Sequence, residues 1–216
     1  MYRLELSTKV ANKLSSTRWF HATTKSNYEN ILKKGVVVDY NRCSELDFGY
    51  GFYLTTDGKS AESYISRLLC ISNEANLTTD PAVIMEYELF PLEWFDSDDY
   101  NTAIFPKFDD KFAEFVFLNR FNCSSGIQQH NYDVIYGVMS DSSPTALLLQ
   151  YRADEISQED VINGLKKGTS MKQISLHRQD LCDAITLKRA YVYDIITNER
   201  KELDIHERES HADCTA

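Results

Sequence analysis

The run Asp47-Phe48-Gly49-Tyr50-Gly51-Phe52-Tyr53-Leu54-Thr55 constrains this chain more than any other segment. Glycines on either side of Tyr50 let the backbone turn and approach other groups closely, and the aromatic and aliphatic residues that follow suit a short strand. From Ser60 to Ile71, Ala61, Ile65 and Leu68 recur at helical spacing. The segment therefore reads as loop, short strand, helix.

Similar short strands and helices alternate along the rest of the chain. Arg18 to Thr24 (RWFHATT) suits a strand that carries His21. Ser26-Asn27-Tyr28-Glu29 has the pattern of a capping box, and a short helix follows through Ile31 and Leu32 to a stop at Gly35. Val36 to Val38 then gives a second strand. Ala82 to Phe90 reads as a strand, while Pro91 to Asp110, with six acidic residues and two prolines, reads as irregular connection. Phe112, Phe115, Val116 and Leu118 predict a helix over Lys111 to Arg120, and Asp133 to Met139 predicts a strand. Ser157 is placed to cap a helix ending near Gly164 and Gly168. Gln173 to His177 alternates, with Gln173, Ser175 and His177 on one face and Ile174 and Leu176 on the other. A short helix and a strand from Ala190 to Ile196 complete the pattern, and from Thr197 the chain reads as an exposed helix or a frayed tail. The fold class is α+β, with an extension at 1–17, one domain at 18–196 and a polar tail or helix at 197–216.

A chain of 216 residues is long enough for one domain with a real core. Its net charge of -10 argues against a general electrostatic grip on a phosphate backbone, which needs clustered Lys and Arg, and leaves room for a local basic patch. Cys43, Cys70, Cys123, Cys182 and Cys214 form an odd set without a C-x-x-C pair, so no metal site is expected and reduced thiols in a cytoplasm are. No stretch approaches the ~20 apolar residues of a membrane span, and Met1 to Val10 lacks the apolar run of a standard secretion signal. The expectation is a cytoplasmic protein without membrane contact.

The blocks WFHATTKSNYENILKKGVVV and DFGYGFYLTTDGKSAESY resemble the first two signature blocks of the diphtheria-toxin and poly(ADP-ribose) polymerase branch of the ADP-ribosyltransferases. The D-F-G-x-G-F-Y-x-T pattern and a late Q-[IV]-S-[FL]-H strand are similar to those of bacterial and phage domains within that superfamily. The likeness extends from Arg18 to Ile196. It implies two packed, mainly antiparallel sheets forming a cleft for NAD as substrate, flanked by helices. In residue terms it implies that His21 holds the adenosine-side ribose, that the Ala22 backbone bonds the carboxamide, and that Tyr53 stacks on nicotinamide. Tyr64 closes the other ring face, the Ser60 hydroxyl binds the carboxamide, and Gly49 and Gly51 let the backbone pass near the ligand. Thr23 completes the first block. Ala22 stands where the family usually has glycine, which narrows the pocket slightly.

Active members of the branch often carry Glu at the start of a late strand, where it binds the ribose 2′-hydroxyl and stabilises the developing cation. The corresponding position here is Gln173, an amide without charge. Two readings follow. Either Gln173 supports a slower mono-transferase, or an acid comes from elsewhere, the best candidate being Glu114 in an otherwise apolar helical segment. The alternative for Glu114 is a plain solvent-facing position. Arg120 is placed to reach the pyrophosphate or a nearby carboxylate, or to make an ordinary surface ion pair. His130, His177, His206 and His211 receive no catalytic role, and Asp133 reads as structural.

The function expected from the resemblance is mono-ADP-ribosyl transfer from NAD to a protein or nucleic acid, in a toxin or defence effector with a possible antitoxin-like partner. A binding module for NAD or ADP-ribose that has lost turnover is the second expectation. An RNA 2′-phosphotransferase is the third, disfavoured because few Arg residues stand near His21 and Tyr53.

Overall fold

The computed structural model describes residues 6–74, 80–140 and 144–205. His206, His211, Cys214 and most of the expected tail lie outside these residues. The strands are β1 (Arg18–Thr24), β2 (Phe52–Thr55), β3 (Ala82–Glu88), β4 (Thr102–Phe105), β5 (Val134–Ser140), β6 (Gly168–Leu176), β7 (Thr186–Tyr193) and β8 (Arg200–Leu203). They form one mixed sheet in the order β4-β5-β6-β2-β1-β3-β7-β8. All neighbours are antiparallel except β4 and β5.

Two sheets packed on each other were expected, and a single continuous sheet is found, but its centre is barely closed. β1 and β2 are registered at one pair, Phe20 with Thr55, whereas β1 and β3 are paired along seven residues. A strand shows its side chains alternately on two faces, so the register sorts the core. Trp19, Phe52, Leu54, Val83, Met85, Tyr136 and Ile174 share one face and one hydrophobic cluster. The helices α1 (Thr8–Leu14), α2 (Lys25–Lys34), α4 (Pro91–Asp96) and α8 (Gln179–Ala184) bury residues in that cluster, including Leu14, Tyr28, Phe95 and Leu181.

The opposite face carries two separate clusters. Helix α3 (Gly58–Glu74) lays Ala61, Ile65 and Leu69 over Ala82 and Ile84. Helices α5 (Asp110–Phe121), α6 (Pro144–Arg152) and α7 (Gln158–Leu165) cover Ile135 and Val138 with Phe112, Val116, Leu148 and Val161. The division between these clusters falls at the weak β1–β2 seam.

Four local expectations are corrected. Val36 to Val38 joins no ladder, because the Gln179 side chain takes its backbone groups: Val38 N–H donates to Oε1 and Nε2 donates to the Val36 carbonyl. Ser26 and Glu29 make no capping box, since α2 begins at Lys25 and Ser26 bonds Asp80 through both backbone and hydroxyl. The stretch from Pro91 to Asp110 contains α4, which starts on a proline suited to a first helical position, and β4. The polar segment after Thr197 contains β8, a charged edge strand against β7. With Leu14 buried at one end and β8 paired at the other, the folded unit extends beyond 18–196 on both sides.

Candidate active site

Past Phe20 and Thr55 the two central strands part, and a cavity of about 480 Å³ opens between them. That volume lies within the usual range of ligand pockets, roughly 300–1,000 Å³. Because it sits in a parting of the sheet, it receives residues from both faces: His21, Phe52 and Leu54 from one, Tyr53, Thr55 and Gln173 from the other. Asn27, Asn30, Ile31 and Lys34 of α2, with the segment from Gly35 to Asn41, form another wall, and Ala61, Tyr64 and Arg67 of α3 complete it. Asn41 lashes this wall to the strand entrance, accepting from the Gly51 N–H and donating to the Gly51 carbonyl, both at 3.0 Å.

His21 spans the parting. Its Nδ1 lies 2.8 Å from the Tyr53 carbonyl oxygen, where a ladder hydrogen bond would otherwise run. A carbonyl only accepts, so Nδ1 carries the proton and Nε2 keeps its lone pair. Burial pushes the imidazole pKa down to about 4, so the ring is neutral at pH 7. Among the described residues no strand pairs with β1 on this side from His21 to Thr24, leaving alternate backbone groups around Ala22 and Thr23 without ladder partners there.

Tyr53 offers its ring, since its hydroxyl is committed. Oη donates to the Gly49 carbonyl at 2.6 Å and accepts from the Phe48 N–H at 3.0 Å. Burial raises its pKa well above the ordinary value. Gly49 does not line the cavity. It adopts φ +77°, and a Cβ there would lie 2.3 Å from Gln128 Oε1. Gly51 does line it, and a Cβ would sit 2.7 Å from the Leu176 carbonyl and from His177 Nδ1. The glycines therefore let the loop press against its own protein support.

That support contains two of the four histidines given no role from sequence, His130 and His177. His177 Nδ1 lies 2.7 Å from the Tyr50 carbonyl and 2.8 Å from Gln128 Nε2, and its Nε2 lies 2.8 Å from Ser175 Oγ. His130 Nε2 donates to the Phe48 carbonyl at 2.8 Å and its Nδ1 accepts from the Tyr132 N–H. Burial lowers both pKa values, that of His177 to about 3. The folded-state pKa of each of these histidines lies below the unfolded value of about 6.5, so the unfolded chain binds their protons first as pH falls. Stability is expected to fall on acidification from about pH 6.5 toward pH 4, by on the order of 1–3 kcal/mol per pH unit. Denaturant titrations across that window measure it, and a flat profile would contradict neutral, buried histidines.

The most buried carboxylate among the described residues is Asp47, at 4% exposure. Its Oδ1 accepts from Arg120 Nε at 2.9 Å, Arg120 Nη2 at 2.7 Å and Ser140 Oγ at 2.6 Å. Its Oδ2 accepts from the Ser140 N–H at 3.1 Å and from Gln173 Nε2 at 3.0 Å. Burial by itself pushes the carboxyl pKa up, but the Arg120 charge and the bonds from Ser140 and Arg120 together hold it below the ordinary value. Asp47, Arg120, Ser140 and Gln173 all line the cavity. Asp47 is the residue that reasoning from sequence missed.

Of the residues expected at the site, His21, Ala22, Thr23, Gly51, Tyr53, Tyr64, Arg120 and Gln173 come together. Glu114 does not. It is exposed on α5 and absent from the lining, because the inward positions of that helix belong to Phe112, Ala113, Val116, Phe117 and Asn119. Ser60 also stands outside, its hydroxyl donating to Asp57 at 2.7 Å near the start of α3. Arg120 meets a carboxylate, one of its expected partners, and also donates to the Glu45 carbonyl at 2.7 Å.

A family described as a protein of unknown function (DUF3990) matches residues 30–187, well over half of the chain. The chain belongs to this family. The DUF3990 match takes in Asp47, Tyr53, Arg120, Ser140 and Gln173 and begins after His21. No curated protein and no solved structure matches the chain. Among the described residues no group of three or more His, Cys, Asp or Glu side chains is placed to hold a metal ion, and no helix is long and apolar enough to cross a membrane.

Proposed function

We propose that this chain has an ADP-ribosyltransferase fold and transfers a single ADP-ribose from NAD to a macromolecule, as a toxin or defence effector. The observation that carries the reading is the meeting of His21, Tyr53 and Gln173 at the parting of β1 and β2. Two halves of a sheet joined by one residue pair also approximate the two-sheet cleft implied by the resemblance. In the reaction the bond from ribose C1′ to nicotinamide breaks and nicotinamide leaves with the electron pair. The acceptor nucleophile bonds to C1′ and gives up its proton to solvent.

Each residue has a part that its geometry allows. Neutral His21 offers Nε2 to a ribose hydroxyl, unpaired backbone groups near Ala22 suit the carboxamide, and the rings of Tyr53 and Tyr64 suit the flat nicotinamide. Lys34, Arg67 and Arg120 line the cavity, and their positive charge suits the pyrophosphate. One observation favours a second reading, a binding module without turnover: among the described lining residues Asp47 is the one carboxylate, and its oxygens are occupied.

Nicotinamide release from labelled NAD, by purified protein with and without cell lysate, tests the proposal. Release with label entering a protein or nucleic-acid fraction is expected. Binding of NAD with no release under any condition would favour the binding module, and absence of both binding and release would end both readings.

A further inference from the structure

Gln173 carries an amide whose orientation the structure fixes. Its Nε2 lies 3.0 Å from Asp47 Oδ2 and 3.2 Å from the Val138 carbonyl. Both partners can only accept, so the nitrogen must point toward them and Oε1 away from them. With both N–H bonds engaged, the amide can serve a ligand only as an acceptor. The carboxylate beyond it polarises the amide and strengthens Oε1 in that role, as hydrogen-bonded groups in a low-dielectric site reinforce one another.

We propose that Asp47 is a positioning residue that acts through Gln173, locking the amide so that Oε1 accepts the 2′-hydroxyl of the nicotinamide ribose. The inference rests on the reading that NAD occupies this cavity. It replaces the two alternatives drawn from sequence, a lone amide or a distant acid, with a carboxylate one hydrogen bond behind an amide. Arg120 and Ser140 fix that carboxylate in turn, with three bonds on one oxygen and one on the other. Gln173 is 5% exposed and sits opposite Thr55 on the neighbouring strand, at the base of the parting.

The arrangement also says what cannot replace Gln173. A glutamate there would set a second carboxylate against Asp47, and like charges at that distance force one of them to stay protonated. Gln173→Glu alone is therefore expected to impair the site. Exchanging the two groups, Asp47→Asn with Gln173→Glu, keeps the net charge but sets a carboxylate oxygen against the Val138 carbonyl and an amide nitrogen against the Ser140 N–H, so it is not expected to restore the site.

The test is a binding cycle with NAD and its analogue lacking the 2′-hydroxyl on the nicotinamide ribose, measured by calorimetry on variants whose thermal transition shows them folded. Wild type is expected to prefer NAD about tenfold, the worth of one hydrogen bond to a polarised acceptor. Gln173→Leu is expected to lose that preference. Asp47→Asn is expected to lose most of it, because the charge that polarises the amide is gone and the Val138 carbonyl alone then holds Nε2. If Asp47→Asn does not fold, Asp47→Glu, which keeps the charge but moves the carboxylate off Nε2, carries the test, and it is expected to lose the preference as well. A purely structural Asp47 would weaken both ligands alike and leave their ratio at the wild-type value, which would overturn the proposal. A folded Asp47→Glu that keeps the wild-type ratio would overturn it too. Failure of wild type to bind NAD would instead remove the functional reading beneath it.

Discussion

Arg120→Ala is expected to cost about 3–5 kcal/mol of folding stability, the usual penalty for removing one partner of a buried ion pair. Both side chains are largely out of water, at 13% exposure for Arg120 and 5% for Asp47. Without the guanidinium, Asp47 keeps its burial and loses its largest compensating charge. The pH dependence should change sign at this group. In the wild type the folded carboxyl pKa is lowered, so the stability it contributes is present above the ordinary carboxylate value and lost as pH falls through the folded one. In Arg120→Ala desolvation dominates and the folded pKa is raised, so the loss shrinks on mild acidification as Asp47 takes up a proton. Urea titrations of both proteins at neutral pH and near pH 5 measure this. A penalty below about 1 kcal/mol, or one independent of pH, would mean that Asp47 relaxes toward solvent.

Asp47 escaped the reading of the sequence although it begins the block on which that reading rested. Its partners lie 73, 93 and 126 residues away along the chain, in α5, β5 and β6. A lone acid ahead of an aromatic and glycine run gives no sign of such contacts. Glu114 attracted attention because it interrupts apolar residues, yet the interruption is only the outward face of a helix. Gln173 was legible as a position because strand alternation put it on one side with Ser175 and His177; the orientation of its amide was not.

The same division holds for the fold. Local periodicity and capping were sufficient for β1, α5, the second half of β6 and α7, where Ser157 accepts from the Asp160 N–H and the Asp160 carboxylate accepts from the Ser157 N–H. They failed where a distant side chain or an edge decides the outcome. Gln179 satisfies the backbone at Val36 and Val38 from more than a hundred residues away, and β8 is too charged to look like a strand until β7 is beside it. The seam is a tertiary fact of this kind. His21 and Tyr53 were readable as a pair, but that the imidazole stands in for a missing ladder bond was not.

That substitution makes His21→Ala the variant with the largest expected effect on function. The change removes the donor to the Tyr53 carbonyl, the Nε2 acceptor offered to the ligand and the ring packed 4.4 Å from Phe52. Affinity for NAD is expected to fall at least about tenfold, roughly 1.4 kcal/mol, and nicotinamide release to reach background. His21→Gln keeps an amide donor and an acceptor, and it should retain part of the affinity if hydrogen bonding is what matters. The pH profile separates this role from a charged one. A histidine whose pKa is pushed down to about 4 stays neutral through the weakly acidic range, so NAD affinity should hold from pH 8 to about pH 5.5 in protein shown to be folded. An affinity that instead changes around pH 6.5 in the wild type, and loses that change in His21→Gln, would show that His21 titrates like a solvated imidazole and that its neutral acceptor role is wrong.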